Sequence, residues 1–281
     1  MKGLLKKVAI LAFLSFLVGV GGLIYLFVRY QSFPTEHKVI QEHKTIEAKD
    51  ITRVEIDTVT ADVRVTKSST EQIEVSLNGE VMHNDIGLTV EPVGPGQLRI
   101  LVSESEQFPF SFGRRQLDLE IALPDKAYQE LRLQTNTGDF ESLLPLQVDQ
   151  MELTTDTGDL RLKGYTGNQL QASSETGDMD LAQVKGAISL RTATGDINDL
   201  ELLELAQDVT IETSTGDVTV KLRTVPKAAQ VELESDTGEV RTELPDLTFE
   251  KNEEKEIRAA IGTGGPIIKV QSATGDLLIT N

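Results

Sequence analysis

The chain has no cysteine and no tryptophan among its 281 residues, only three histidines, and aromatic side chains at 5% of positions. Without cysteine there can be no disulfide, no thiolate nucleophile, no cysteine-based metal site and no lipidated cysteine anchor. Stability must come from packing alone. His37, His43 and His83 are scattered, no Gly-x-Ser-x-Gly elbow occurs, and no histidine spacing suits a metal. Acidic charge is missing from the first 30 residues. All 45 Asp and Glu follow, against 23 of the 27 Lys and Arg, so the rest of the chain carries −22. Such a domain excludes nucleic acid as a partner and is repelled by anionic polymers.

Residues 8–28 form the one long apolar run, 21 residues without a charge, preceded by Lys2, Lys6 and Lys7. That length spans a bilayer, and the basic flank keeps the N-terminus cytoplasmic. Bulky residues continue through Leu23–Tyr30 where a cleaved signal peptide would end in small ones. The sequence therefore predicts a cytoplasmic tip (1–7), an uncleaved signal-anchor helix in the membrane (8–28), a polar stalk (29–45) and an extracytoplasmic domain (46–281).

That domain repeats one phrase seven times: Ser or Thr, one residue, then Thr-Gly-Asp or Thr-Gly-Glu. The glycines are Gly138, Gly158, Gly177, Gly195, Gly216, Gly238 and Gly275, at intervals near 20 residues except the last, of 37. Apolar residues recur four and six before the Thr, as Leu133 and Leu131, and three after it, as Phe140. The period is two on both sides of the glycine, which is the strand period. One strand–turn–strand unit cannot bury its own apolar face, whereas a stack of them can. The predicted fold is all-β, an elongated β-solenoid of about 20-residue repeats behind one transmembrane helix. Glycine supplies positive φ at the turn, and the acid after it accepts a backbone N–H. The buried Ser or Thr two before the turn is expected to bond its counterpart in the next coil. Glu239 breaks the Asp series and keeps the charge.

Thr60-Ala61-Asp62 is an eighth, degenerate copy, 77 residues before Gly138. That interval reads as four coils with imperfect corners. The 37-residue gap before Gly275 reads as two periods, with a charged insertion at 245–255 and a corner at 262–266.

An N-terminal anchor followed by strand repeats ending in Thr-Gly-Asp resembles the bacterial putative-adhesin family of β-strand repeat proteins. The Leu-Pro-Asp-Lys run at 123–126 is similar to theirs. The resemblance implies a solenoid at the cell envelope, with no activity and no catalytic residues to carry over. Within the family, membrane-anchored members tied to envelope stress are the nearest in layout.

Three further features complete the expectations. Asp139, Asp159, Asp178, Asp196, Asp217 and Asp276 form a column that is weighed as a calcium site against a turn-fixing role. The turn role is preferred, because calcium loops draw several ligands from one loop, and no cofactor is expected. Phe108, Phe110 and Phe112, in a loop with Arg114 and Arg115, read as a local core strand or as a loop docking on a membrane or partner. Arg132, Arg161 and Arg191 do not cluster as a polysaccharide lyase would require. The function expected is a non-enzymatic binding or sensing module of the bacterial envelope, held in the membrane through residues 8–28, with an envelope protein or wall polymer as partner. An adhesin or wall-polysaccharide binder is the alternative, and a polysaccharide-processing enzyme the third reading.

Overall fold

A computed structural model of the protein describes residues 38–81, 86–104 and 116–281, together with helical residues 15–16, 18–22 and 25. Most of the expected span 8–28 lies outside the described residues, as do Phe108, Phe110, Phe112, His37 and His83. Among the described residues, no helix is long and apolar enough to cross a membrane. The chain divides into residues 1–38 and a compact unit from Val39 to Asn281. The second unit therefore starts inside the expected stalk. Its first strand, Lys38–Glu47, pairs with Gln72–Val81. Bonds from His43 to Ser76 and from Gln72 to Glu47 set the two strands antiparallel.

Two walls of strands face each other across one core. In spatial order, the long-strand wall stacks Ile86–Gly94, Gln97–Glu104, Arg53–Asp57, Tyr128–Thr137, Leu146–Thr157, Tyr165–Thr176, Val184–Thr194, Val209–Thr215, Ile267–Thr274, Ala229–Thr237, Glu256–Ile261 and Thr248–Glu253. The short-strand wall stacks Lys38–Glu47, Gln72–Val81, Gln116–Leu123, Asp62–Lys67, Phe140–Ser142, Leu160–Leu162, Met179–Leu181, Ile197–Leu202, Val218–Leu222, Leu277–Thr280 and Val240–Thr242. Pairing is parallel through the middle of both walls, and antiparallel at both ends of the long wall and at the first end of the short wall. The period-two pattern decides which side chains meet. Leu131, Leu133 and Phe140 in one coil, and Leu153 and Leu160 in the next, are all buried, each contributing on the order of 2 kcal/mol by leaving water.

Stacking order departs from chain order at both ends. The 77-residue interval is not a run of four coils, because coil 128–142 sits directly on coil 53–67. The intervening chain makes the antiparallel layer 72–94, then returns to place strands Gln97–Glu104 and Gln116–Leu123 between that layer and coil 53–67. At the other end, coil 267–280 sits between coils 209–222 and 229–242. The charged insertion is a hairpin, Thr248–Glu253 with Glu256–Ile261, laid on strand Ala229–Thr237. Its outermost strand carries Glu250, Lys251 and Glu253, which discourages edge-to-edge aggregation.

Candidate functional site

The eight corners align in one column. Each corner glycine from Gly138 to Gly275 has φ between 146° and 153°. Positive φ is only half of the demand for glycine. A Cβ at Gly158 would come within 2.6 Å of the carbonyl carbon of Gly138, and the same overlap repeats at every glycine up the stack. Ala61 stands in the glycine position of the copy at 60–62, and there the backbone does not take positive φ, so a Cβ is tolerated.

The acid after each glycine links coils rather than closing its own turn. Asp139 N–H donates to Asp62 Oδ1 at 3.0 Å, Asp159 to Asp139 at 2.9 Å, Asp178 to Asp159 at 2.9 Å, and Asp196 to Asp178 at 2.8 Å. Asp217 N–H donates to Asp196, Asp276 to Asp217, and Glu239 to Asp276, each at 2.8 Å. Glu239 ends the series. With no further corner to serve, its carboxylate turns to Arg241. The departure from Asp at Glu239 thus marks one end of the ladder.

The buried hydroxyls behave differently from expectation. Ser174 donates to Gly158 O at 3.4 Å, Thr192 to Gly177 O at 3.4 Å, Ser235 to Gly275 O at 2.8 Å and Ser272 to Gly216 O at 3.5 Å. They bind the adjoining glycine carbonyl, not one another, because that carbonyl points into the narrow corner. Thr155 and Thr213 Oγ1 have no partner.

The candidate calcium column is therefore also the ladder, with one oxygen of every Asp from Asp62 to Asp276 engaged by a backbone N–H. Arg161 donates to the second oxygen of Asp159 at 2.6 Å and lies 3.7 Å from Asp139 and 3.6 Å from Asp180. Among the described residues, no three His, Asp or Glu side chains converge to hold a metal. Asp180 has its pKa raised, first by burial and then by Asp199, Asp178 and Asp159, with Arg161 opposing. Asp199 stands at a bulge with φ 52°. The Leu-Pro-Asp-Lys run proves structural. Lys126 Nζ donates to the carbonyls of Ala48 and Ile51, and sits over the Tyr128 ring at 5.2 Å. Burial lowers its pKa.

Side chains facing outward on the long wall form a different pattern. Gln134, Thr154 and Ser173 make one row across successive strands, Gln171, Ser189 and Thr210 a second, and Gln150 and Gln169 a third. Apart from Ser173 donating to Thr154 at 3.4 Å, these eight side chains make no hydrogen bond within the protein. Charged neighbours are paired with one another: Arg132 with Glu152 at 3.5 Å, Glu152 standing between Gln150 and Thr154 on its strand, and Arg191 with Glu212 at 2.6 Å. Arg132 and Arg191 thus serve separate carboxylates and form no basic cleft with Arg161. Beside Arg191 and Glu212, a concavity of about 520 Å³ is lined also by Ser214, Glu234, Asp236 and Gln271.

The family described as Toastrack DUF4097 matches residues 51–198 and again 146–280, together most of the chain. The chain belongs to the Toastrack family. The two matches overlap over residues 146–198 of the Toastrack domain. No curated protein matches it. Among solved structures, it is similar to a putative cell adhesion protein from Clostridium sporogenes ATCC 15579, at 15% identity and a TM-score of 0.46, over 86% of this chain and 99% of that one. A putative adhesin from Bacteroides fragilis NCTC 9343 is 13% identical with a TM-score of 0.43, over 88% and 98%. A putative lipid binding protein from Parabacteroides distasonis ATCC 8503 is 16% identical with a TM-score of 0.45, over 86% and 96%. The uncharged rows of the Toastrack wall escaped the sequence reading, because their residues are ordinary strand-surface types. Only the register shows that they are contiguous.

Proposed function

We propose that this chain is a non-enzymatic binding module of the bacterial cell envelope, anchored by residues 8–28 with its Toastrack domain outside the cell. Its contact surface is the outer long wall around Gln171 and Ser189. The observation that supports this reading is the uncharged strip itself. In a domain of strongly negative net charge, eight adjacent amide and hydroxyl side chains are left without charge and almost without internal partners. Such a surface offers donors and acceptors to an uncharged polar polymer, a wall polysaccharide in chemical terms, and offers no electrostatic attraction to a polyanion. The strands hold the rows in fixed register, so the backbone beneath them needs no ordering at binding.

The finer reading, a LiaG-like role in envelope stress, is supported by the single-anchor layout and the family resemblance. Both readings are tested with the full-length protein. Reporters fused after residue 45 should be active outside the cell. The purified chain should co-sediment with isolated neutral wall polysaccharide, and cells lacking it should be more sensitive to wall-active agents. A chain that sediments with no neutral polymer would refute the binding reading. An unchanged sensitivity would refute the stress role alone.

A further inference from the structure

The coil made by Ile267–Thr274 and Leu277–Thr280 is not seated beside the strands that precede it in sequence. It fills a slot, with parallel partners on both sides: Ile268 lies between Val209 and Val231, and Leu278 between Thr219 and Arg241. Its Ile268, Val270, Leu277 and Ile279 are each at most 1% exposed. The corner ladder runs through it, from Asp217 to Asp276 to Glu239. Neighbouring coils such as 146–162 and 165–181 are joined to the coils flanking them by links of two or three residues. Coil 267–280 is joined to neither of its flanking coils directly.

Its tether is short and bent. Glu256–Ile261 lies on one edge of strand Ala229–Thr237, and Ile267–Thr274 lies on the other. The five residues Gly-Thr-Gly-Gly-Pro at 262–266 must cross over the start of that strand. Gly262, Gly264 and Gly265 do so with φ of 61°, 70° and 90°. A Cβ at Gly265 would stand 2.6 Å from the carbonyl carbon of Ala228, so the tether is pressed against the strand end. This bend is needed only while the coil fills the slot of its own chain.

We propose that coil 267–280 is exchangeable, and that the slot between coils 209–222 and 229–242 accepts the same coil from a second copy of this chain. The second copy's coil would make the same ladder bonds and bury the same side chains. Exchange therefore conserves every contact of the slot and changes only the tether, from bent to extended. Within one chain the coil has the advantage of a high effective concentration, so exchange is expected when copies refold together or are crowded together.

The absence of cysteine makes the test direct. Thr219 and Leu278 face outward, opposite each other on adjacent strands. The full-length double variant T219C/L278C should form its disulfide within one chain. Single variants T219C and L278C, one carrying a size tag, are then unfolded, mixed, refolded and oxidised. The expected result is a tagged–untagged disulfide dimer in several-fold excess over a control mixture of T219C with S189C. Adding Gly264→Val to both chains should raise the yield roughly tenfold, because a β-branched residue resists the bent tether's positive φ but not an extended one. No atom lies within 4 Å of a Cβ at this position, so the change acts on the tether alone. A yield equal to the control, with or without Gly264→Val, overturns the exchange. A double variant that fails to close within one chain overturns the slot itself.

Discussion

Asp139 Oδ1 accepts the backbone N–H of Asp159 at 2.9 Å, one coil further along the stack. The bond explains why Asp follows every corner glycine from Gly138 to Gly275 except Gly238. It predicts that loss of the acceptor matters more than loss of the charge. Asp178→Ala leaves the Asp196 N–H without its partner and should cost about 1 kcal/mol. Asp178→Asn keeps an oxygen in place and should cost less than half of that. Urea denaturation of the two variants ranks them, and an Asn variant as damaged as the Ala variant would mean that charge, not the rung, is what the corner needs.

Glycine at the corners from Gly138 to Gly275 is demanded by the corner it stacks on. Gly195→Ala drives a methyl group into the carbonyl of Gly177 and should destabilise by about 2–3 kcal/mol. Ala61→Gly, at the corner where φ is not positive, should cost under about 1 kcal/mol, the ordinary entropic penalty of glycine. Equal losses at the two sites would show that the stacked carbonyl is not the cause.

Asp180 supplies a pH test. Its pKa in the folded state is raised above 3.8 by burial and by Asp199, Asp178 and Asp159. The folded protein thus holds the proton more tightly than the unfolded chain does. The resulting penalty is absent below the unfolded value and develops as pH rises through it to the folded value. Asp180→Asn should therefore be more stable than the parent protein at neutral pH, with the difference vanishing below about pH 4. Melting curves of both proteins across that range settle the sign. A variant less stable at neutral pH would show that the ion pair with Arg161 outweighs the crowding of carboxylates.

The corner glycines, the inward Leu, Ile and Val, and the buried hydroxyls were all legible in the sequence, because a period of two broken by a fixed turn has one physical solution. Spatial order was not. The repeats at Gly238 and Gly275 have the same chemistry, so nothing in either says which stacks on Gly216. Only the pairing of Val209 with Ile268 decides it. Likewise Thr58 to Asp62 could be recognised as a corner, but not as the one directly beneath Gly138. The hydroxyl partners were misjudged for a geometric reason. Ser235 and Ser272 lie level with each other, yet each finds a glycine carbonyl nearer than the other hydroxyl.

The uncharged strip gives the sharpest test of function, because its residues carry no structural duty. Gln171 is exposed, makes no hydrogen bond within the protein, and faces Glu152 on one side and Ser189 on the other. Gln171→Ala should change stability by less than about 0.5 kcal/mol. It should weaken binding to a neutral wall polysaccharide roughly tenfold if the amide makes a pair of hydrogen bonds to sugar hydroxyls. Gln171→Glu removes the donor and adds a like charge beside Glu152, so it should bind more weakly still. Glu232→Gln, on the same wall but three strands beyond Ser189, should bind as the parent protein does. These contrasts separate contact from fold, since all three variants retain every buried side chain and every rung of the ladder. Unaltered polysaccharide binding by both Gln171 variants, with melting temperatures intact, would move the contact surface off this wall.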